Sequence, residues 1–172
     1  MDTANTELPP PATHVVTALY AEHALGLVRL AVLMVGDRPT AEDVVQDAFL
    51  ALYRRWPTLK DPDRALAYAR ASVLNGCRMV HRANSRHDGI TLAAPDDTES
   101  AEETALLGEA SREVLTALRR LPARQREAVV LRYYLDMTED QAAAAMRVSR
   151  GTVKSATSRG LAALGRLLKE EQ

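Results

Sequence analysis

The sequence predicts an all-α fold: two small helical domains joined by a flexible acidic linker, with a helix-turn-helix in the C-terminal one. Three observations point to it. Apolar residues recur three and four apart along most of the chain, and no alternating strand pattern rises above background. Helix-start signals, in which Ser, Thr or Asp precedes Glu, Gln or Pro at the right offset, open successive periodic runs. Charge is segregated as well. Residues 1–86 hold ten Lys or Arg against nine acids, residues 87–110 hold seven acids and no base, and residues 111–172 hold twelve bases against seven acids. The net charge of −1 therefore hides two basic-leaning ends around an acidic middle. From this the expected organisation is a tail over 1–13, a domain over 14–86, an acidic linker over 87–101 and a second domain over 102–170.

Taken in order, the tail contains Pro9, Pro10 and Pro11 and few large apolar groups, so it lacks the means to pack. Val16, Leu19, Tyr20, His23, Leu27, Leu30, Ala31 and Met34 share one helical face, and Gly36 to Pro39 ends that helix. Thr40 reads as the N-cap of a second helix, with Glu42 and Asp43 in its first turn. Val44, Val45, Ala48, Phe49, Leu52 and Tyr53 form its apolar side before Trp56-Pro57 stops it. Its polar side, with Glu42, Asp43, Gln46, Asp47 and Arg54, reads at first as a solvated face. Asp61-Pro62 opens a third helix that runs to about Arg86.

This third helix has no acid between Asp63 and Asp88. Asn75, Arg78, Arg82 and Arg86 are spaced by three, four and four residues and so share one face. An ordinary solvated face mixes signs; this one does not, and a single-sign row of arginines suits a phosphate backbone. Ser100 with Glu103 starts the next helix, carrying Leu106, Leu107, Ala110, Val114, Leu118 and Leu121, and Pro122 breaks it. A helix from about Ala123 to Leu135 is expected to bury Ala128, Leu131 and Tyr134.

Thr138 with Gln141 is a capping box, and Ser149 is a good N-cap only a few residues further on. Two helices joined so tightly make a helix-turn-helix. No acid occurs from Gln141 to Leu168, while Arg147, Arg150, Lys154, Arg159 and Arg166 do. Ser149, Arg150, Thr152, Lys154, Ser155, Ser158 and Arg159 are the candidate DNA contacts, and Val148, Val153, Ala156, Leu161 and Leu164 the buried face.

Catalysis finds no support: there is no glycine-rich phosphate loop, no nucleophile–base grouping and no paired-carboxylate signature, so neither catalytic residues nor a cofactor is expected. Cys77 is alone and sits in an apolar helical context, and the four histidines form no metal-spaced cluster, so no metal is expected. No apolar run is expected to reach bilayer length, and the acidic, Pro-rich start is unlike a signal peptide.

Two stretches in this order make a family recognisable. Ala41-Glu42-Asp43-Val44-Val45-Gln46-Asp47-Ala48-Phe49, continuing to Tyr53, resembles the core-polymerase-binding helix of bacterial sigma factors of the extracytoplasmic-function group. Leu121-Pro122, Gln125-Arg126-Glu127-Ala128 and Leu131-Arg132, followed by Gly151-Thr152-Val153-Lys154-Ser155, resemble that group's fourth region. Ser72 to Arg78, trailed by Arg82 and Arg86, is similar to its minus-10 recognition helix.

The resemblance implies a non-enzymatic, cytoplasmic promoter-specificity subunit whose partners are core RNA polymerase and promoter DNA, with an anti-sigma factor as a further candidate partner. Asp43, Gln46, Asp47 and Arg54 would dock on polymerase, reversing the solvated reading of that face. Asn75, Arg78, Arg82 and Arg86 would meet the minus-10 element, the loop over 58–63 would capture an unstacked base, and the helix-turn-helix would read the minus-35 element. Two departures stand out. Arg147 occupies a turn position where the family usually has Gly, so an altered or looser turn is expected. Met79 stands where an acid is common. Two other readings compete: a helix-turn-helix regulator that binds duplex DNA without polymerase, and a helical module whose basic faces bind acidic partners.

Overall fold

The computed structural model describes residues 12–87 and 111–170, and all regular structure among them is helical. The N-terminal unit consists of α1 (Ala12–Val35), α2 (Arg38–Arg55) and α3 (Ala65–His87), with 3-10 turns at Trp56–Thr58 and Pro62–Arg64. The C-terminal unit consists of α4 (Ser111–Arg119), α5 (Ala123–Val129), a π turn (Val130–Tyr134), α6 (Glu139–Met146) and α7 (Arg150–Glu170). The expected linker except His87, which ends α3, lies outside the described residues, as do the Ser100 helix start, Leu106, Leu107 and Ala110. So does the expected tail except Ala12 and Thr13, which are the first residues of α1.

Each helix boundary has a local cause. Gly36 lies in the left-handed region at φ 99° and lets the chain reverse between α1 and α2. The cap of α2 is Asp37 and not Thr40: the Asp37 carboxylate accepts from the Thr40 backbone N–H at 2.9 Å. Pro39 is accommodated because a first-turn residue has no intrahelical N–H bond to lose, so the proline starts a helix instead of ending one. Asp61 caps the Pro62 turn through the Asp63 N–H, as the sequence predicts. Pro122 separates α4 from α5.

The two units share one apolar cluster. Leu30, Met34, Val45, Leu52, Val73 and Cys77 of the first unit and Leu131 and Val153 of the second are all essentially inaccessible and belong to it. Packing of α1 on α2 and α3 builds the first half; α5 on α7, with α6 beside them, builds the second; α1 also packs on α4, α5 and the π turn. By length and composition α1 is apolar enough to cross a membrane, which corrects the expectation that no run approaches that length. Its C-terminal half, Leu27 to Met34, uses that apolarity as core.

Five residues that their spacing placed on apolar helix faces are exposed: Tyr20 by 41 %, Tyr53 by 45 %, Val114 by 37 %, Tyr134 by 43 % and Leu161 by 38 %. For Tyr134 the cause is the π turn, where the Leu135 N–H reaches back to the Val130 carbonyl and shifts the helical register. Gly160 sits against α5: a β-carbon there would lie 2.8 Å from Val129 Cγ2 and 3.1 Å from the Gln125 carbonyl oxygen. Backbone cannot swing aside as a side-chain tip can. Gly160→Ala is therefore expected to destabilise the protein by ~1–3 kcal/mol, read as a lower denaturant midpoint, despite alanine's better helix propensity.

Candidate nucleic-acid interface

Asp43, Gln46, Asp47 and Arg54 are all exposed on α2. They are not alone there. Leu50 and Tyr53 are each 45 % exposed, and the spacing 43-46-47-50-53-54 puts all six on one stripe. The sequence carried this signal, but counting Tyr53 with the apolar side concealed it. A stripe mixing acid with uncovered Leu and Tyr is better suited to a protein surface than to DNA.

On α3, Asn75, Arg82 and Arg86 are exposed, whereas Arg78 is drawn inward. Arg78 Nη1 donates to Asn75 Oδ1 at 2.8 Å, Nε donates to Glu127 Oε1 at 2.7 Å, and Nη2 donates to the same carboxylate oxygen and, at 2.6 Å, to the Ala145 carbonyl. The pair is mostly buried, with 18 % of the Arg78 and 9 % of the Glu127 side chain accessible. Beyond this pair, Thr58, Leu59, Lys60, Asp61, Arg64 and Tyr68 line a cavity of about 420 Å³ between the two 3-10 turns and the start of α3. Arg55 lies over the Tyr68 ring at 5.5 Å from its centroid.

In the second unit the helix-turn-helix is formed by α6 and α7. Thr138 Oγ1 accepts from the Gln141 N–H and the Gln141 side chain accepts from the Thr138 N–H, so the predicted capping box is complete. Ser149 Oγ accepts from the Thr152 N–H at 3.1 Å and caps α7 as expected. All seven candidate contacts, Ser149, Arg150, Thr152, Lys154, Ser155, Ser158 and Arg159, are exposed. Arg150 is nonetheless partnered: its Nε donates to Glu139 Oε2 at 2.7 Å, which holds the Glu139 carboxyl below the usual carboxylate range. Glu139, on the first helix of the motif, was not singled out in the sequence.

The turn is retained and not altered. Arg147 takes the left-handed conformation itself, at φ 54° and ψ 46°, with its N–H on the Ala144 carbonyl and the Val148 N–H on the Ala143 carbonyl. This is the Schellman arrangement that glycine usually completes. An L-residue held there is strained by ~1–2 kcal/mol. Arg147→Gly should raise stability by about 1 kcal/mol, read as a higher denaturant midpoint, with an unchanged helical circular-dichroism spectrum.

Between the units, the Met34 carbonyl near the end of α1 accepts from Arg126 Nη1 at 2.7 Å and from the Nε2–H of a neutral His81 at 2.8 Å. Arg126 also caps α4 by donating to the Arg119 and Leu121 carbonyls. Burial, with Arg119 beside it, pulls the Arg126 guanidinium down to about 10, which leaves it cationic at neutral pH. Burial pushes the Cys77 thiol up to about 12, helped by Glu127, so it is an inert core thiol.

Burial first and Arg126 second lower His81 from the usual 6.5, against the Met34 hydrogen bond and Glu127, which raise it. A base whose folded value is lowered contributes fully only above its unfolded value. Stability should therefore be flat above about pH 6.5 on this account and fall as pH drops below it, because the unfolded chain takes the proton first. Chemical denaturation between pH 7.5 and pH 5.5 checks this: His81→Gln should show a shallower fall over the same range.

Comparison with known proteins agrees with this architecture. The sigma-70 region 2 family matches residues 19–87, and the sigma-70 region 4 family matches residues 111–164. The chain is 37 % identical over 143 residues to the RNA polymerase sigma-E factor of Streptomyces coelicolor, covering 80 % of this chain and 77 % of that one. It is 30 % identical over 163 residues to the ECF RNA polymerase sigma factor SigL of Mycobacterium tuberculosis, covering 89 % and 88 %. Among solved structures it is similar to CnrH, determined in complex with the cytosolic domain of CnrY, at TM-score 0.63 and 25 % identity over 94 % of this chain and 96 % of that one. The sigma factor RpoE of Bartonella quintana, co-crystallised with the anti-sigma factor NepR, shares the fold at TM-score 0.66 and 23 % identity over 91 % and 99 %. With regions 2 and 4 both present, and with relatives of this similarity matched along most of their length, the chain belongs to the sigma-70 family as an extracytoplasmic-function RNA polymerase sigma factor.

Proposed function

We propose that the sigma-factor work is divided among three surfaces. The α2 stripe of Asp43, Gln46, Asp47, Leu50, Tyr53 and Arg54 docks on core RNA polymerase. Asn75, Arg78, Arg82 and Arg86 of α3 hold the opened non-template strand at the minus-10 element, with the cavity beside Tyr68 receiving an unstacked base. Ser149, Arg150, Thr152, Lys154, Ser155, Ser158 and Arg159 of α7 read the minus-35 duplex, the residues near the helix start meeting base edges and its free N–H groups meeting phosphate.

The observation that carries this reading is the pairing of two acid-free basic helix faces, on α3 and α7, with a third exposed face on α2 that is acidic and apolar. A duplex-binding regulator needs only the α7 face. Capture of a flipped base offsets part of its unstacking cost and so favours the melted state. The protein works in the cytoplasm, as a specificity subunit that carries no reaction of its own. An anti-sigma factor is a further partner on this reading, as in the complex of the similar RpoE with NepR.

Run-off transcription with purified core polymerase and a genomic promoter library tests the division. Start sites that depend on the protein are expected, together with co-elution with core enzyme. Lys154→Ala should weaken upstream duplex binding about five-fold or more, a loss of ~1–3 kcal/mol. Asn75→Ala should leave duplex binding unchanged and slow strand opening, read by permanganate reactivity. Equal loss of duplex binding in both variants would sink the division of labour.

A further inference from the structure

Where α3 meets the helix-turn-helix, the chain leaves a cleft whose charge it does not balance. Arg70 and Arg78 of α3 and Arg147 at the turn between α6 and α7 line a space of about 270 Å³, and no acid lines it with them. Glu127 pairs with Arg78 from outside that lining, so one of the three charges is met. The guanidinium groups of Arg70 and Arg147 have no partner among the described residues, and the Arg70 Nε is shielded from water as well. A shielded donor without an acceptor carries a desolvation cost that an anion relieves. Asn75 and Arg78 add donors to the same lining. Asn75 spends its side-chain oxygen on Arg78 Nη1, which leaves the amide nitrogen to donate, and Arg78 keeps one Nη1 hydrogen after its bonds to Asn75, Glu127 and Ala145.

Arg147 supplies an independent observation. It holds the left-handed conformation, at φ 54°, that glycine takes without strain. Backbone strain of this kind collects at binding and catalytic positions. With glycine the turn would relax, and the cleft would lose one of its cations. Size narrows the ligand. The space holds about nine waters at the ~30 Å³ each takes in the liquid. That suits a compact ion with several acceptor oxygens, and falls short of the roughly 300 Å³ at which pockets for drug-sized molecules begin. Planar guanidinium groups pair best with carboxylate and phosphate. Two unmet cations with further donors between them match an oligophosphate, whereas a carboxylate brings a single charge.

We propose that this cleft binds a compact oligophosphate, either inorganic pyrophosphate or the diphosphate end of a nucleotide, held by Arg70, Arg147 and the remaining donors of Asn75 and Arg78. The rest of the lining, with Leu74, Met137 and alanines, is apolar and offers a base packing without polar contacts. The phosphates therefore carry the affinity. Because the ligand touches both α3 and the helix-turn-helix, its binding free energy adds to the stability of the folded chain. Asn75 and Arg78 are shared with the minus-10 reading, but Arg70 and Arg147 are not, so the latter two carry the test.

The test is calorimetric titration of the full chain with sodium pyrophosphate, in magnesium-free buffer at fixed ionic strength. One saturable site is expected. Arg147→Gly, which relaxes the turn and keeps the fold, is expected to weaken it about ten-fold or more, and Arg70→Gln to do the same. Arg124→Ala, which removes an exposed cation of α5 that does not line the cleft, is expected to leave the affinity unchanged. A parallel titration with ADP separates the two sources: tighter binding than pyrophosphate assigns the ligand to a nucleotide, equal or weaker binding assigns it to the inorganic ion, and either supports the site. Binding of both anions weaker than about 1 mM overturns the proposal. So does binding that Arg147→Gly and Arg70→Gln leave undiminished, or that Arg124→Ala weakens equally, which marks diffuse attraction to a basic surface. A single-stranded oligonucleotide that binds where neither small anion does makes the cleft part of the nucleic-acid surface, and overturns it too. Should Arg70→Gln not fold, Arg147→Gly decides alone, its own fold being checked by its denaturant midpoint.

Discussion

A carbonyl near the end of a helix needs a partner from outside the helix, and the one at Met34 finds two, from different parts of the chain. His81 reaches it from α3 and Arg126 reaches it from α5. The first bond fixes α3 against α1 inside one unit; the second ties that unit to the other. Much of the remaining arrangement follows from this point. Arg126 also holds the Arg119 carbonyl at the end of α4 and the Leu121 carbonyl in the turn that follows, which ties α5 to α4. With α5 so placed, its next residue, Glu127, faces α3 and meets Arg78. One residue step on a helix therefore carries a neutral carbonyl contact into a buried ion pair.

The energetic character of these two contacts differs. Arg126 donates to three carbonyls, which suits a cation whose charge burial already disfavours. Arg78 and Glu127 are full charges taken out of water, and the desolvation this costs consumes much of their attraction. Such a pair adds little net stability while both partners are present, yet leaving one buried alone costs ~3–5 kcal/mol. It behaves as a register device: it specifies which face of α3 meets α5 and penalises any other docking. The apolar cluster that α1 shares with α4, α5 and the π turn supplies the attraction, and the ion pair supplies the orientation.

How much of this was legible in the sequence depended on the range over which each signal acts. The capping box at Thr138, the Ser149 cap and the Asp61-Pro62 start are local, so offsets placed them correctly. The local errors are instructive. Asp37 displaced Thr40 as a cap because Pro39 is as welcome in a first turn as it is unwelcome further along. Tyr134 was turned outward by one extra residue in a π turn, which no three-or-four spacing can anticipate. Leu50 and Tyr53 could have been assigned to the α2 stripe from spacing alone, and chemistry misled where geometry would not have. The pairs Arg78–Glu127 and Arg126–Met34 are separated by 49 and 92 residues, and nothing in the local pattern of either partner names the other. A family resemblance gave Glu127 a motif but not a neighbour.

Charge is unevenly placed where the two units meet. Across the cleft, α3 brings Arg70 and Arg78, the helix-turn-helix brings Arg147, and the lining holds no acid. Like charges brought together from two units repel, and Glu127 is the group placed to balance them. Arg147 has two parts in this arrangement. Held in the left-handed turn, it shapes the entry to α7 and adds a positive charge to the cleft, two effects that glycine would separate.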